Sequence, residues 1–343
     1  MCIDCGFTCQ TLFDLERIGL EGKGCIRIPL FLSSIQIPCK QNIINPSVYI
    51  QSPYKILETV ANLSGSSFSI VELGLRTVKQ PYGGSFHQQR VFIKRPLVPG
   101  KSLLYEACIQ QIVKDSLDRG NFVRGAAAVH DVFKLADGSV AFSMEVFETA
   151  LPLSAMLPSL NGASLTGTVL ELLLQLSAML WHLSTDLGMN HRDLKPSNIM
   201  IETHGGRFMT LKVADQTLTI HSKFTISLVD FGFSCIGKNS TQVADITIGD
   251  VYSKEDPCPK DGRDLFMFLA FLYMDVGSRI GSDLKAYFAK WLQNNVTGII
   301  GKIDRLGHEF DPWIYFIAGN ESVRKFDCGP EHIFRDLREL ATV

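Results

Sequence analysis

The sequence predicts an α+β fold in two lobes, a small antiparallel sheet carrying one main helix followed by a mainly helical lobe. Three observations lead there. Before residue 150, short apolar and β-branched runs alternate with turn-forming Pro and Gly. A single segment of helical period, 102–117, interrupts them. After Pro152 the apolar residues recur at helical spacing over long stretches.

Taken in order, residues 1–45 contain Gly22, Gly24, Pro29 and Pro38, which break every candidate element, and they read as an extension of no legible role. The first lobe is expected over 46–149. Its strands are expected at 54–63, 68–78 and 89–94, with the turn Pro81-Tyr82-Gly83-Gly84 between the last two, and at 126–134 and 139–147 beyond the helix. The second lobe, 150–343, should be built on a long central helix at 165–187, with further helices at 264–276, 282–294 and 332–340. An alternating stretch within 202–224 reads as a hairpin.

Composition narrows the class of function. At 343 residues, 46% hydrophobic and 20% charged, the chain can bury a sizeable core. A formal net charge of −2 argues against nonspecific nucleic-acid binding, which ordinarily needs a basic excess. Asp4, Asp14 and Glu16 stand where an export signal would place basic residues. The most apolar windows, 170–183 and 265–274, fall short of the roughly 20 residues that span a bilayer, so they read as buried helices. The expectation is a soluble intracellular protein, cytoplasmic or nuclear, with no membrane partner. Nine cysteines without an export signal point to reduced thiols. Cys2, Cys5 and Cys9 with Cys25 or Cys39 offer four thiolates for zinc, but no second C-x-x-C pair makes that spacing specific. His182, His204, His221 and His308 have no companion at metal spacing, and there is no G-x-x-x-x-G-K-[ST] loop.

Chemistry concentrates in two segments. His191-Arg192-Asp193-Leu194-Lys195-Pro196-Ser197-Asn198 follows the long helix, and Asp230-Phe231-Gly232 follows thirty-two residues after Asn198. The first matches H-R-D-L-x-x-x-N and the second D-F-G, and in this order the pair resembles the signature of the eukaryotic-type protein kinases. The resemblance implies a bilobal protein-kinase-like fold that binds ATP and Mg²⁺ and phosphorylates serine or threonine hydroxyls of a protein substrate. It gives Asp193 the role of catalytic base and Asn198 and Asp230 that of oxygen ligands to Mg²⁺. Lys195 would stand near the transferring phosphate, as in serine/threonine-specific members.

Other parts of that signature can then be sought. Val91-Phe92-Ile93-Lys94 stands where V-A-I-K is expected, and Glu106 in the next helix is the expected partner of Lys94. Leu63-Ser64-Gly65-Ser66-Ser67-Phe68-Ser69-Ile70-Val71 aligns with the glycine-rich loop, keeping Phe68 and Val71 but setting serine, including Ser64 and Ser66, at each glycine position. Serine lacks glycine's access to positive φ, so this cover should be stiffer. Phe92 replaces a small alanine over the adenine. Met144-Glu145-Val146-Phe147 resembles the hinge, with the Glu145 carbonyl and Phe147 amide facing the base; Met200 completes the nucleotide-binding set that the resemblance implies.

The segment 233–263 would be the activation segment, with Ser240, Thr241, Thr247 and Ser253 as candidate phosphosites and Arg192 as their partner. Asp264 is expected to cap the next helix and brace the catalytic loop. No A-P-E sequence occurs there, and with the short C-terminal region and the extra hairpin this is similar to kinases of the haspin type and of large DNA viruses. Two other readings stay open: a pseudokinase or kinase-fold binding module, and a kinase of small molecules.

Overall fold

The computed structural model describes residues 30–31, 48–51, 55–65, 68–80, 84–236, 259–292, 298–324 and 328–341. The cysteines of the N-terminal extension, Ser66, the turn at 81–83 and the four candidate phosphosites lie outside the described residues. The fold is α+β, with an antiparallel sheet and several helices, and the chain divides into two compact units. One takes the described residues up to 112 together with 127–148; the other takes the remainder.

The first unit is a seven-stranded sheet. Its strands are β1 (Leu30–Phe31), β2 (Val48–Gln51), β3 (Lys55–Gly65), β4 (Ser69–Lys79), β5 (Phe86–Pro96), β6 (Val129–Lys134) and β7 (Val140–Glu145), in the order β1-β6-β7-β5-β4-β3-β2. All pairings are antiparallel except that of β1 with β6. Residues directly opposite one another share a face of a sheet. The register therefore lays Val71, Lys94 and Phe142 in one row across β4, β5 and β7, and Leu73, Phe92 and Met144 in the next row on that face. Helix α1 (Leu104–Arg119) begins against this face, where Leu103 and Ala107 form a buried cluster with Val129, Val132 and Phe142.

The other face holds a core of Tyr49, Ile50, Leu57, Val91, Ile93, Phe133 and Ala141. It also buries charge. Asp131, whose side chain is fully buried, accepts from Lys55 Nζ at 2.6 Å, Arg76 Nε at 2.7 Å and Ser143 Oγ at 3.0 Å. Burial is the largest single influence on this carboxyl and pushes it up, but the adjacent Arg76 and Lys55 together outweigh it and hold the group below the usual carboxylate range. Gly74 belongs here for steric reasons: a Cβ at this position would stand 2.9 Å from the Glu58 carbonyl oxygen and run into the Ile93 side chain.

The second unit is mainly helical. It contains β8 (Leu151–Pro152), the short α2 (Leu153–Met156), α3 (Gly162–Leu187), strands β9 (Ile199–Val213) and β10 (Gln216–Leu228), and helices α4 (Arg263–Val276), α5 (Ser282–Leu292), α6 (Ile299–Leu306), α7 (Asp311–Gly319) and α8 (Pro330–Ala341). Helix α4 is buried from Arg263 through Tyr273, as its uninterrupted apolar run Leu265–Leu272 requires. Helix α3 ends at Gly188, whose left-handed φ of 59° lets its amide close onto the Ser184 carbonyl. Trp181 of α3 meets Phe334 of α8 with ring centroids 6.1 Å apart. Strands β8, β9 and β10 form a second sheet dominated by the long β9–β10 hairpin, turned at Ala214-Asp215.

Three expectations need amendment. The apolar window inside α3 is part of a 26-residue helix that is, by length and composition, long enough to cross a membrane. Its apolar window is 56% buried in the protein, and Gln175 in its middle donates to Ser222 Oγ at 2.7 Å and to the Phe224 carbonyl at 3.1 Å. Helices α6 and α7 were not anticipated individually, being only 8 and 9 residues long. Finally, among the described cysteines Cys108 and Cys328 are in no disulfide, whereas Cys235 is disulfide-bonded. The expectation of reduced thiols more than a disulfide framework is thus amended at Cys235, because spacing alone does not reveal which segments bring two sulfurs into bonding geometry.

Candidate active site

The second unit gathers the two motifs through backbone register. Ile199 pairs with Leu228 at the base of the β9–β10 hairpin, and one step further the Val229 amide donates to the Asn198 carbonyl at 3.1 Å. Asp230 is the next residue, so thirty-two positions of chain return to the same place. Met200 lies one pair up the hairpin, opposite Ser227.

The loop before Asn198 is held in an unusual shape. Arg192 has φ +67°, a left-handed conformation that non-glycine residues seldom adopt, and Asp230 has the same value. Asp264 braces the first of these turns: its carboxylate accepts the His191 amide at 2.7 Å, the Arg192 amide at 2.8 Å and Asn190 Nδ2 at 3.4 Å. The expected helix-capping role does not hold. Gly262 occupies the N-cap of α4, and Asp264, in the first turn, has both oxygens turned to the loop. His191 is fully buried, its Nε2 lies 3.1 Å from the Val229 carbonyl and its ring packs on Phe231 with centroids 5.2 Å apart. The H-R-D and D-F-G segments are thus joined by a side chain from each.

Asp193 is the focus of this arrangement. Its side chain is 7% exposed, and Lys195 Nζ bridges both of its oxygens at 2.9 and 3.0 Å. Asn198 Nδ2 donates to the Asp193 backbone carbonyl at 2.8 Å and to Oδ2 at 3.0 Å. That use of its nitrogen leaves the Asn198 amide oxygen for another partner. Tyr315 of α7 also donates to Asp193, at 2.5 Å from Oδ1. Sequence reasoning missed Tyr315; Asp311-Pro312, a helix-starting pair, marks α7, but nothing in the spacing ties it to a residue 122 positions away.

In the first unit, Lys94 Nζ donates to Glu106 Oε1 at 2.6 Å, with the two side chains 7% and 4% exposed. Val71 is opposite Lys94 in the register, and Ser64 is opposite Val71. Phe68, immediately before β4, is exposed. Phe92 shares the Lys94 face and stands opposite Met144. The Glu145 amide is bonded to the Ala128 carbonyl at 2.9 Å, and Phe147 is buried.

The donor set suits a hard cation. An amide oxygen from Asn198 and a carboxylate from Asp230 are the kind of ligands Mg²⁺ shares with phosphate oxygens and water. Among the described residues no group of three or more His, Cys, Asp or Glu side chains is assembled for a metal held by protein alone. No family model matches the chain, and no curated protein matches it in sequence.

Proposed function

We propose that this chain has a protein-kinase-like fold and transfers the γ-phosphate of ATP to serine or threonine hydroxyls of protein substrates. One observation carries the reading: a buried carboxylate, Asp193, is oriented by Lys195 and Asn198 while the hairpin register returns Asp230 beside Asn198. Phosphoryl transfer asks a protein chiefly for positioning and charge neutralisation, and this set supplies both. Asp193 would take the proton of the acceptor hydroxyl, and Lys195 would offset charge on the transferring group. Asn198 and Asp230 would hold Mg²⁺, which when bound neutralises the phosphates. The Lys94–Glu106 pair supports the same reading, since a lysine fixed by a buried carboxylate is suited to the α- and β-phosphates.

A second reading, a kinase-fold binding module, is favoured by Phe92, which puts a phenyl ring on the Lys94 face opposite Met144. The missing A-P-E keeps a small-molecule acceptor as a third. The deciding experiment is transfer of labelled γ-phosphate from Mg·ATP by the purified chain, to itself and to a generic basic protein. Wild type should label serine or threonine, Asp193→Asn should bind Mg·ATP but transfer nothing, and Lys94→Met should transfer poorly. No transfer and no Mg·ATP-induced thermal shift would leave the binding module as the better account.

A further inference from the structure

The four contacts of the Asp193 carboxylate bear on how an acceptor enters. An ionised carboxylate offers about four lone-pair positions. Among the described residues all are taken: Oδ1 by Lys195 at 2.9 Å and Tyr315 at 2.5 Å, Oδ2 by Lys195 at 3.0 Å and Asn198 at 3.0 Å. An incoming hydroxyl that is to give its proton to Asp193 needs one of these positions.

The three donors are not equally replaceable. Asn198 is fixed by its second bond to the Asp193 backbone carbonyl, within the same loop. Lys195 carries the charge that compensates the buried carboxylate, and losing it would strand that charge. Tyr315 is neutral, lies on a different helix and presents a hydroxyl, the same group as the acceptor. Its oxygen also accepts from Lys195 Nζ at 3.4 Å, so it lies beside the Lys195–Asp193 pair within reach of both base and cation, as an attacking oxygen would. Phe271 of α4 steadies the ring edge-on, with centroids 5.6 Å apart.

We infer that the Tyr315 hydroxyl occupies the acceptor-hydroxyl position on Asp193 and is displaced when the substrate hydroxyl docks. This rests on the phosphotransferase reading. In the productive step the acceptor oxygen forms its bond to the γ-phosphorus as its proton passes to Asp193, and the bond from the γ-phosphorus to the bridging oxygen breaks, its electron pair leaving on ADP. Water could enter the same step in place of substrate, giving inorganic phosphate. A tyrosine on the base excludes water until an acceptor with further binding contacts replaces it. Tyr315 is thus a specificity-determining residue: it selects against acceptors too small to compete with it.

The test compares wild type, Tyr315→Phe and Asp193→Asn, each checked for an unchanged thermal transition. Two rates are measured with Mg·ATP: phosphate release without acceptor, and transfer to a generic basic protein over a range of its concentrations. A bond to a charged group shifts an equilibrium by about tenfold or more. Tyr315→Phe should therefore release phosphate about tenfold faster without acceptor and show an acceptor KM lower by a similar factor, with kcat little changed. If wild type turns over, Asp193→Asn does not, and Tyr315→Phe matches wild type in both rates, the inference is overturned while the phosphotransferase reading stands. A fall in kcat with unchanged KM would also overturn it, making Tyr315 a residue that orients Asp193. No turnover by either wild type or Tyr315→Phe would remove the phosphotransferase reading, and this inference with it.

Discussion

Removing the Asp264 carboxylate should loosen the Asp193 loop before it unfolds anything else. In Asp264→Ala two buried backbone donors, the amides of His191 and Arg192, lose acceptors now at 2.7 and 2.8 Å. A buried donor left without a partner costs about 1–3 kcal/mol, so the two together should cost about 2–6 kcal/mol. The effect should be local at first, since the left-handed turn at Arg192 depends on those bonds. Native-state amide exchange reads it directly: each 1.4 kcal/mol is about tenfold in exchange rate, so His191 and Arg192 should exchange at least tenfold faster. Asp264→Asn keeps one acceptor oxygen but turns an N–H toward the other donor, and should fall between wild type and Ala. Unchanged protection at both amides in a folded Asp264→Ala protein would refute the bracing role.

Asp131→Asn should destabilise the first unit by about 3–5 kcal/mol, because Lys55 and Arg76 would lose the buried countercharge they share, and chemical denaturation followed by a probe in that unit will show it. The same carboxyl has its folded pKa held below the unfolded value of about 3.9, so its contribution is complete above that pH and is lost as pH falls through the lower, folded value. His130 acts earlier and in the same direction: burial, with Arg76 nearby, lowers its pKa, so stability should begin to fall as pH drops below about 6.5. Denaturation midpoints between neutral and acid pH should therefore decline in two stages, and a midpoint that rises on acidification would contradict both assignments. Gly74→Ala should cost about 1–3 kcal/mol by overpacking against the Ile93 side chain and the Glu58 carbonyl, measurable as a lower midpoint.

What was legible in the sequence was whatever depends on near neighbours. The β3–β5 runs and the alternation of the β9–β10 hairpin obey a period of two, and α3 and α4 announce themselves by long apolar stretches. The Asp193, Asn198 and Asp230 positions were legible because their motifs are contiguous, and the pairing of Lys94 with Glu106 because it spans 12 residues between adjacent elements. Tyr315 was not, since its bond to Asp193 crosses 122 residues and depends on how α7 packs. The Lys55–Asp131–Arg76 group was hidden for the same reason: three strands contribute one charge each, and charges on strands ordinarily signal solvent. Helices as short as α6 and α7 offer too few turns for periodicity to register.

The hairpin that unites Asn198 with Asp230 does so entirely at its root, while its far end, beyond Met209 and Ile220, is a ladder closed by Ala214 and Asp215. That end is anchored too, since Leu211 and Val213 are fully buried and the Lys212 amide donates to the Gly120 carbonyl at 2.9 Å, whereas Ala214 to Thr217 are exposed. Because facing residues alternate, adding two residues to each strand beyond the Val213–Gln216 pair would leave every existing side chain on its original side and the root untouched, whereas a single-residue change in one strand would invert the pattern beyond it. The loop at Ala214-Asp215 is therefore a natural graft point, where a tag, a reporter domain or a new binding segment can be carried at a distance from the chemistry.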